Sequence, residues 1–386
     1  MLTHETISLA RSMSSPLVSI VMPCFNAGRM LRPALQSVLA QTHRNIEVIF
    51  VDNNSTDDSP RIAQSVLGPA TCPFTLTACA LPGANRARNW GYAMARGDYI
   101  QWLDADDLLD PDKIALQVAA LEANPGDDIA YGDWTGHRRV RGEPDIVRRS
   151  TLRQVDDQLL RVLSGEWYPP HLYLLRRGAA DRLQQEQAWW PERGVATDVE
   201  YSALAALFGV RFRYVPRAHV QYNVWSDDQT SNSTPFATRT ASLRAIFMRL
   251  RDLVESGRAA VPLSQRHRAL LYQGWDIWRL PKGQVALDRL NGRKFVLRDK
   301  SSGRQIELRP REASIVNWLH RTSMPGTSYH YAAIMAATVP ELNGCQVAIV
   351  ELLERLQREG FLQCVAAGDG GSPPSAQAST TPGDSA

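Results

Sequence analysis

Apolar residues run almost unbroken through LVSIVMP (17–23), and similar runs return in NIEVIFVD (45–52), PFTLTACAL (73–81) and DYIQWLD (98–104). β-Branched and apolar side chains without alternation suit a strand buried on both faces, as in a parallel sheet. Between these runs the period changes. After the loop CFNAG, Leu31, Leu35, Val38 and Leu39 fall at helical spacing. Ser59-Pro60 predicts a helix start, with serine as N-cap and proline at the first helical position. ANRARNWGYAMARG (84–97) reads as a helix stopped by Gly97, and Asp110-Pro111 opens another through DPDKIALQVAALEANPG. Strand and helix alternate from residue 17 to about 125, which predicts an α/β fold with a doubly wound sheet.

Beyond this the pattern loosens. IAYGDWTG (129–136) predicts a strand, HLYLLRRGAADRL (171–183) a strand entering a helix, and FRYVPRAHVQYNVW (212–225) a strand pair. ATDVEYSALAALFG (196–209) is a predicted helix with its acids at the start, where the helix dipole favours them. From Pro235 to about Trp278 the composition is helical. After a break at LPKGQ (280–284), RKFVLRDKSSGRQIELRP predicts a hairpin around Ser302-Gly303. Helices are predicted in EASIVNWLHR, SYHYAAIMAATV and GCQVAIVELLERLQREGF. The expected layout is a disordered start over 1–16, an α/β domain over 17–232, a helical linker over 233–289, a small α+β module over 290–365, and a disordered Gly/Pro/Ser-rich tail over 366–386.

In an open α/β sheet, ligands bind beyond the carboxyl ends of the strands. Three such ends carry suitable groups: Pro23-Cys24-Phe25-Asn26, Asp52, and Asp104-Ala105-Asp106. On an extended backbone residues 104 and 106 point to one face. Carboxylates crowded together repel and resist desolvation unless a cation neutralises them. A hard divalent ion, Mg2+ or Mn2+, fits that role and keeps positions open for phosphate oxygens. The plain alternative is a solvated turn, with Asp107 and Asp110 capping the next helix.

Composition narrows the classes. The 44% hydrophobic and 22% charged content is that of an ordinary globular protein. A net charge of +3, from 43 basic and 40 acidic side chains, is too balanced to argue for nucleic acid or an anionic membrane as a partner, and no nucleic acid is expected. The five cysteines lack CxxC spacing, which points to reduced thiols and away from disulfides or zinc. The first sixteen residues hold no apolar signal segment, and no apolar run nears the ~18 residues of a membrane span. A cytoplasmic location is expected, with contact at the inner face of a membrane left open.

The stretches VSIVMPCFNAGRMLRPALQSVLAQTHRNIEVIFVDNNSTDDS and ANRARNWGYAMARGDYIQWLDADD resemble the family 2 glycosyltransferases. The resemblance spans 17–125 and continues more weakly to about 232. It implies a GT-A fold and an inverting transfer of sugar from a nucleotide diphosphate sugar, with a divalent cation. On the matching positions it implies that Pro23, Phe25 and Asn26 border the base and that Asp52 accepts a bond from base or ribose. Arg88 would reach base or diphosphate, Asp104 the ribose, and Asp106 would hold the metal. Asp198 matches the family's catalytic base, although Thr197 stands where glutamate is usual; without the resemblance Asp198 reads as a helix N-terminal acid. VDNNS replaces the frequent VDDGS, so Asn53 removes a carboxylate and Asn54 stands where glycine is common. Asn223 and Trp225 replace Arg and His of many relatives. His171 or His219 could complete a metal shell, but such histidines more often serve packing.

The acceptor is left open among a glycan, a lipid-linked sugar, a metabolite and a peptide. A nucleotidyltransferase would need a Gly-rich basic loop after the first strand, and PCFNAG is not one. The remaining alternative is an inactive GT-A fold that binds a sugar nucleotide or a peptide. FVLRDKSSGRQIELRPREASIVNWL with the helices after it resembles PqqD-like winged-helix modules, which implies a peptide partner; a packing or pairing role is the plain reading. No concentrated basic recognition helix favours DNA.

Overall fold

The computed structural model describes residues 15–139, 145–225, 236–273, 278–279, 285–291, 294–322 and 346–364. The chain forms two compact units that divide between Leu271 and Tyr272.

In the first unit the unbroken apolar runs become β1 (Val18–Cys24), β2 (Ile46–Asp52), β3 (Phe74–Ala78) and β4 (Tyr99–Trp102). β1 and β4 are buried throughout. Helices α1 (Gly28–Leu39), α2 (Ser59–Leu67) and α3 (Ala84–Met94) alternate with them. After the short β5 (Leu108–Leu109) and α4 (Lys113–Ala123), the stretch read as one strand divides into β6 (Ile129–Tyr131) and β7 (Trp134–Arg139). β6 joins the main sheet and β7 a second one. Gly132 makes that crossing, and a Cβ there would stand 1.7 Å from the Ala218 carbonyl oxygen.

Then follow β8 (Ile146–Ser150), α5 (Gln158–Leu163), β9 (Leu174–Arg176) and α6 (Arg177–Gln185). α7 (Thr197–Leu207), β10 (Phe212–Tyr214), β11 (Val220–Trp225), α8 (Phe236–Glu255) and all but the last two residues of α9 (Gln265–Gln273) complete the unit. The seven-stranded sheet has the order β10-β6-β9-β4-β1-β2-β3, and β9 is its antiparallel member. The second sheet is β5-β11-β7-β8.

Register fixes where the chemistry sits. Cys24 lies opposite Asp52, Asp52 opposite Ala78, and Val21 opposite Trp102. The carboxyl ends of β1, β2 and β4 therefore open on one edge of the sheet. Gly91 of α3 lies so close to the sheet that a Cβ would meet Val21 Cγ1 at 2.6 Å. That approach seats Arg88, one turn earlier, beside the same edge.

After β12 (Trp278–Arg279), the second unit holds β13 (Val285–Asn291), β14 (Lys294–Asp299) and β15 (Gln305–Leu308) as an antiparallel sheet. Two helices follow, Pro310–Thr322 and Gln346–Arg358, and Trp278–Arg279 pairs with Gln363–Cys364. The hairpin expected around Ser302-Gly303 forms, with Gly303 at φ +72°. The stretch read as a helical linker ends instead in β13, whose pairing with β14 outweighs local composition. The helix expected at 328–339 lies outside the described residues, as do nearly all of the stretches read as disordered termini. No helix among the described residues is long and apolar enough to cross a membrane.

Candidate active site

At the β1 end, Phe25 is 63% exposed and stands at the mouth of the sheet edge. Asn26 adopts φ +49°, and its Oδ1 accepts the Thr56 N–H at 2.7 Å. Its own N–H donates to Ser55 Oγ at 3.0 Å. Asn26 thus joins the loops after β1 and β2, and Pro23 stays within β1. Asp52 closes β2, where Oδ1 accepts the Ser55 N–H at 3.3 Å. Asn54 takes the left-handed conformation, φ +66°, for which asparagine is better suited than most residues.

Asn53 is buried and fully engaged. Its Nδ2 donates to the carbonyls of Cys79 (2.9 Å) and Leu81 (2.8 Å), and its Oδ1 accepts the Gly83 N–H at 2.7 Å. The residue read as a missing carboxylate is a staple for the loop between β3 and α3.

The acid segment departs from the extended geometry expected of it. Asp107 N–H reaches back to the Asp104 carbonyl at 3.2 Å, so the chain turns. An i to i+3 turn brings the carboxylates of Asp104 and Asp107 to one side, where an extended strand would pair 104 with 106. Asp107 is buried, and its Oδ1 accepts the Asn223 N–H of β11 at 2.7 Å. Asn223 Nδ2 in turn donates to the Asp106 carbonyl at 2.6 Å. The expectation that Asp107 caps the next helix is corrected: Asp112 holds that N-cap position, and Asp107 is drawn inward to β11. Burial, then the charges of Asp106 and Asp104, push the Asp107 carboxyl well above its ordinary range.

His171, in a 3-10 turn over Pro170–Leu172, is also fully buried. Its Nδ1 lies 3.1 Å from Asp107 Oδ2, and its ring stacks on Tyr222 with centroids 5.6 Å apart. Burial lowers its pKa to about 3, so the ring is neutral. Asp107 Oδ2 and both His171 ring nitrogens have no hydrogen-bond partner. Asp104, Asp107 and His171 each offer a ligand atom, all within 4.8 Å of one another. A neutral imidazole beside carboxylates is a donor set that fits a divalent cation. His171 carries no local sequence signal that links it to the turn. His219 stands elsewhere, with its Nε2 2.7 Å from Thr135 Oγ1 and its Nδ1 3.1 Å from Asp110, a contact of the same length as that of His171 with Asp107.

Arg88 is buried and turns toward the acid segment, with Nη2 2.6 Å from Asp104 Oδ1. Nη1 donates to Asn85 Oδ1 at 3.1 Å, and the guanidinium lies 4.5 Å over the Trp189 ring. Trp189 stacks on Tyr201 of α7 at 4.2 Å, which ties this arginine to the helix of Asp198.

Asp198 stands in the first turn of α7 behind Ala196, which takes a left-handed φ of +58°. Burial pushes its carboxyl up to about 6, while nearby backbone N–H groups and Arg88 oppose the shift and Asp104 adds to it. Glu200, two residues on, is fully committed. Arg193 Nε meets its Oε2 at 2.5 Å, and Arg249 of α8 meets its Oε1 at 2.8 Å. Burial pushes the Tyr222 phenol well above its ordinary range, and the charges of Asp107, Asp198, Asp106 and Asp104 add to the shift.

A family model described as Glycosyl transferase family 2 matches residues 19–183. An uncharacterized glycosyltransferase of Haemophilus influenzae is 38% identical over 176 residues, covering 45% of this chain and 67% of that protein. Glycosyltransferase GlyG of Streptococcus pneumoniae is 36% identical over 161 residues, covering 40% of this chain and 52% of that protein. The chain spans only 35% of the length of an uncharacterized glycosyltransferase of Rickettsia typhi, at 39% identity. S. aureus TarS 1-349 in complex with UDP-GlcNAc aligns with a TM-score of 0.50 and 18% identity, over 66% of this chain and 70% of that one. That likeness concerns the fold, which is GT-A. The matched residues run from β1 into α6 and contain the acid turn, and the Haemophilus relative is covered over two thirds of its length, so the chain belongs to glycosyltransferase family 2.

Proposed function

We propose that the chain transfers a sugar from a nucleotide diphosphate sugar to an acceptor hydroxyl or other nucleophile, with inversion at the anomeric carbon. The observation that carries the reading is the acid turn after β4, where Asp104, Asp107 and His171 bring polar atoms within 4.8 Å of one another and Arg88 engages Asp104, beside the open ends of β1, β2 and β4. Phe25 offers an exposed ring for the base, with Pro23 and Asn26 shaping its loop, and Asp52 offers an acceptor to base or ribose. Asp104, oriented by Arg88, serves the ribose side of the donor.

A divalent cation, Mn2+ or Mg2+, would be held at the acid turn by Asp106. When bound it would neutralise charge on the departing diphosphate. Arg88 adds a fixed positive charge in a site shielded from water, which favours the same charge development. Asp198 takes the proton from the acceptor as it attacks from the opposite face, and a pKa of about 6 suits a base at neutral pH. An α-linked donor then gives a β-linked product. Glu200 is unsuited to this role because both of its oxygens are held by arginine. The 272–386 unit is the candidate recruiter of a peptide acceptor.

The test is release of free nucleotide diphosphate when the full chain meets a panel of sugar nucleotides with Mn2+. Release from one donor class, lost in Asp106→Asn, is expected. Tight donor binding without any release, with or without candidate acceptors, would favour an inactive binding protein.

A further inference from the structure

Resting on the reading of Arg88 as the counter-charge to the donor diphosphate, we infer that Trp189 is a positioning residue, whose indole face sets the Arg88 guanidinium for the phosphates. Trp189 is 1% exposed and lies in the loop between α6 and α7. The guanidinium of Arg88 stands 4.5 Å from the centre of its ring. Tyr201 of α7 stacks on the ring at 4.2 Å, and Trp102 of β4 meets it edge-on at 5.6 Å. One side chain therefore touches the helix of Arg88, the strand that leads into Asp104, and the helix of Asp198.

Two orphaned atoms show that the ring face is what the position uses. Trp189 Nε1 is buried without a hydrogen-bond partner, so the polar handle that distinguishes tryptophan from phenylalanine is idle. Arg88 Nε is buried without a partner as well. The guanidinium is bonded only through its terminal nitrogens, Nη1 to Asn85 and Nη2 to Asp104. A planar cation held at two ends can still tilt about the line that joins them. An aromatic face packed against it removes that freedom and attracts the charge.

Ring and cation are also built on one frame. Asn85 and Asn89, three residues before Arg88 and one after it, both reach from α3 to this loop. Asn85 Nδ2 donates to the Trp190 carbonyl at 2.9 Å, and Asn89 Nδ2 donates to the Trp189 carbonyl at 2.9 Å. The helix that carries the guanidinium thus fixes the backbone of the ring beside it.

Binding of UDP, GDP, dTDP, CDP and ADP to the full chain with Mn2+ is to be measured by calorimetric titration, with melting temperature taken on every variant. Trp189→Leu should weaken the diphosphate that binds by about tenfold, the size a desolvated cation–π contact supports. Trp189→Phe keeps a ring face and should stay within about threefold of wild type. In an Arg88→Ala background Trp189→Leu should cost no further affinity, because its effect passes through Arg88. Unchanged affinity in Trp189→Leu, a loss that persists without Arg88, or a phenylalanine variant as weak as the leucine one would overturn the positioning role and leave that of Arg88. Diphosphate binding that is absent, or unchanged in Arg88→Ala, would overturn the reading of Arg88 and this role with it. Should the leucine variant not fold, fluorinated tryptophan at 189 keeps the shape and weakens the hold of the ring on the cation. Affinity falling with each added fluorine supports the role, and constant affinity overturns it.

Discussion

An aspartate that titrates near 6 changes charge in the range where transferases are assayed, and Asp198 makes two opposite demands on the protein. If Asp198 is the base it must be ionised, so the transfer rate should climb as pH rises through about 6 and then level off. Asp198→Asn should lower the rate by ~10²-fold or more and remove that climb. Stability runs the other way. The folded carboxyl holds its proton more tightly than the unfolded value of 3.8, so ionising it costs stability as pH rises from 3.8 to about 6. Asp198→Asn should therefore melt at or above wild type at pH 8, and the two should converge near pH 4. Rate and melting temperature across pH check both; a normal rate would make Asp198 structural. For Glu200→Gln the expectation is loss of fold stability by roughly 3 kcal/mol, because two arginines lose a buried anion. Its denaturation midpoint reads this directly. Strand-end residues such as Asp52 and Asp104 were legible in sequence because a strand end follows from local pattern. The partners of Glu200 and Asp107 were not, since Arg249 and His171 arrive from remote elements and leave no periodic trace.

At the scale of elements, unbroken apolar runs marked β1, β2 and β4, because strands covered on both faces leave no alternation to misread. The turn after β4 was misjudged as extended, since nothing in DADD distinguishes a strand end from a hydrogen-bonded turn. β6 and β7 were merged because Gly132 acts through a long-range contact with the Ala218 carbonyl. Gly132→Ala should cost about 1–3 kcal/mol or more through overpacking, seen as an earlier urea midpoint with unchanged slope. Gly178→Ala is the counterpart. It lies in α6 with nothing within 4 Å of the added methyl, and should gain up to about 1 kcal/mol.

For the whole molecule, the boundary after Leu271 predicts that a chain ending there folds and still releases nucleotide diphosphate from donor and Mn2+. If the 272–386 unit recruits the acceptor, transfer to the true acceptor should fall while donor hydrolysis stays near wild type. Parallel assays of hydrolysis and transfer on the shortened chain separate these outcomes; normal transfer would end the recruitment role.

Within the first unit, Asn223 binds the Asp107 carboxylate with its N–H and the Asp106 carbonyl with its amide. Through it the smaller sheet grips the chemistry carried by the larger one. The consequence is one of inheritance. A replacement at position 223 removes the side-chain bond to the Asp106 carbonyl, but any residue other than proline keeps the backbone N–H on Asp107, so the grip on 107 passes from sequence to sequence with the strand and not with the side chain. Asn223→Ala should therefore leave Asp107 held, whereas Asn223→Pro should release it.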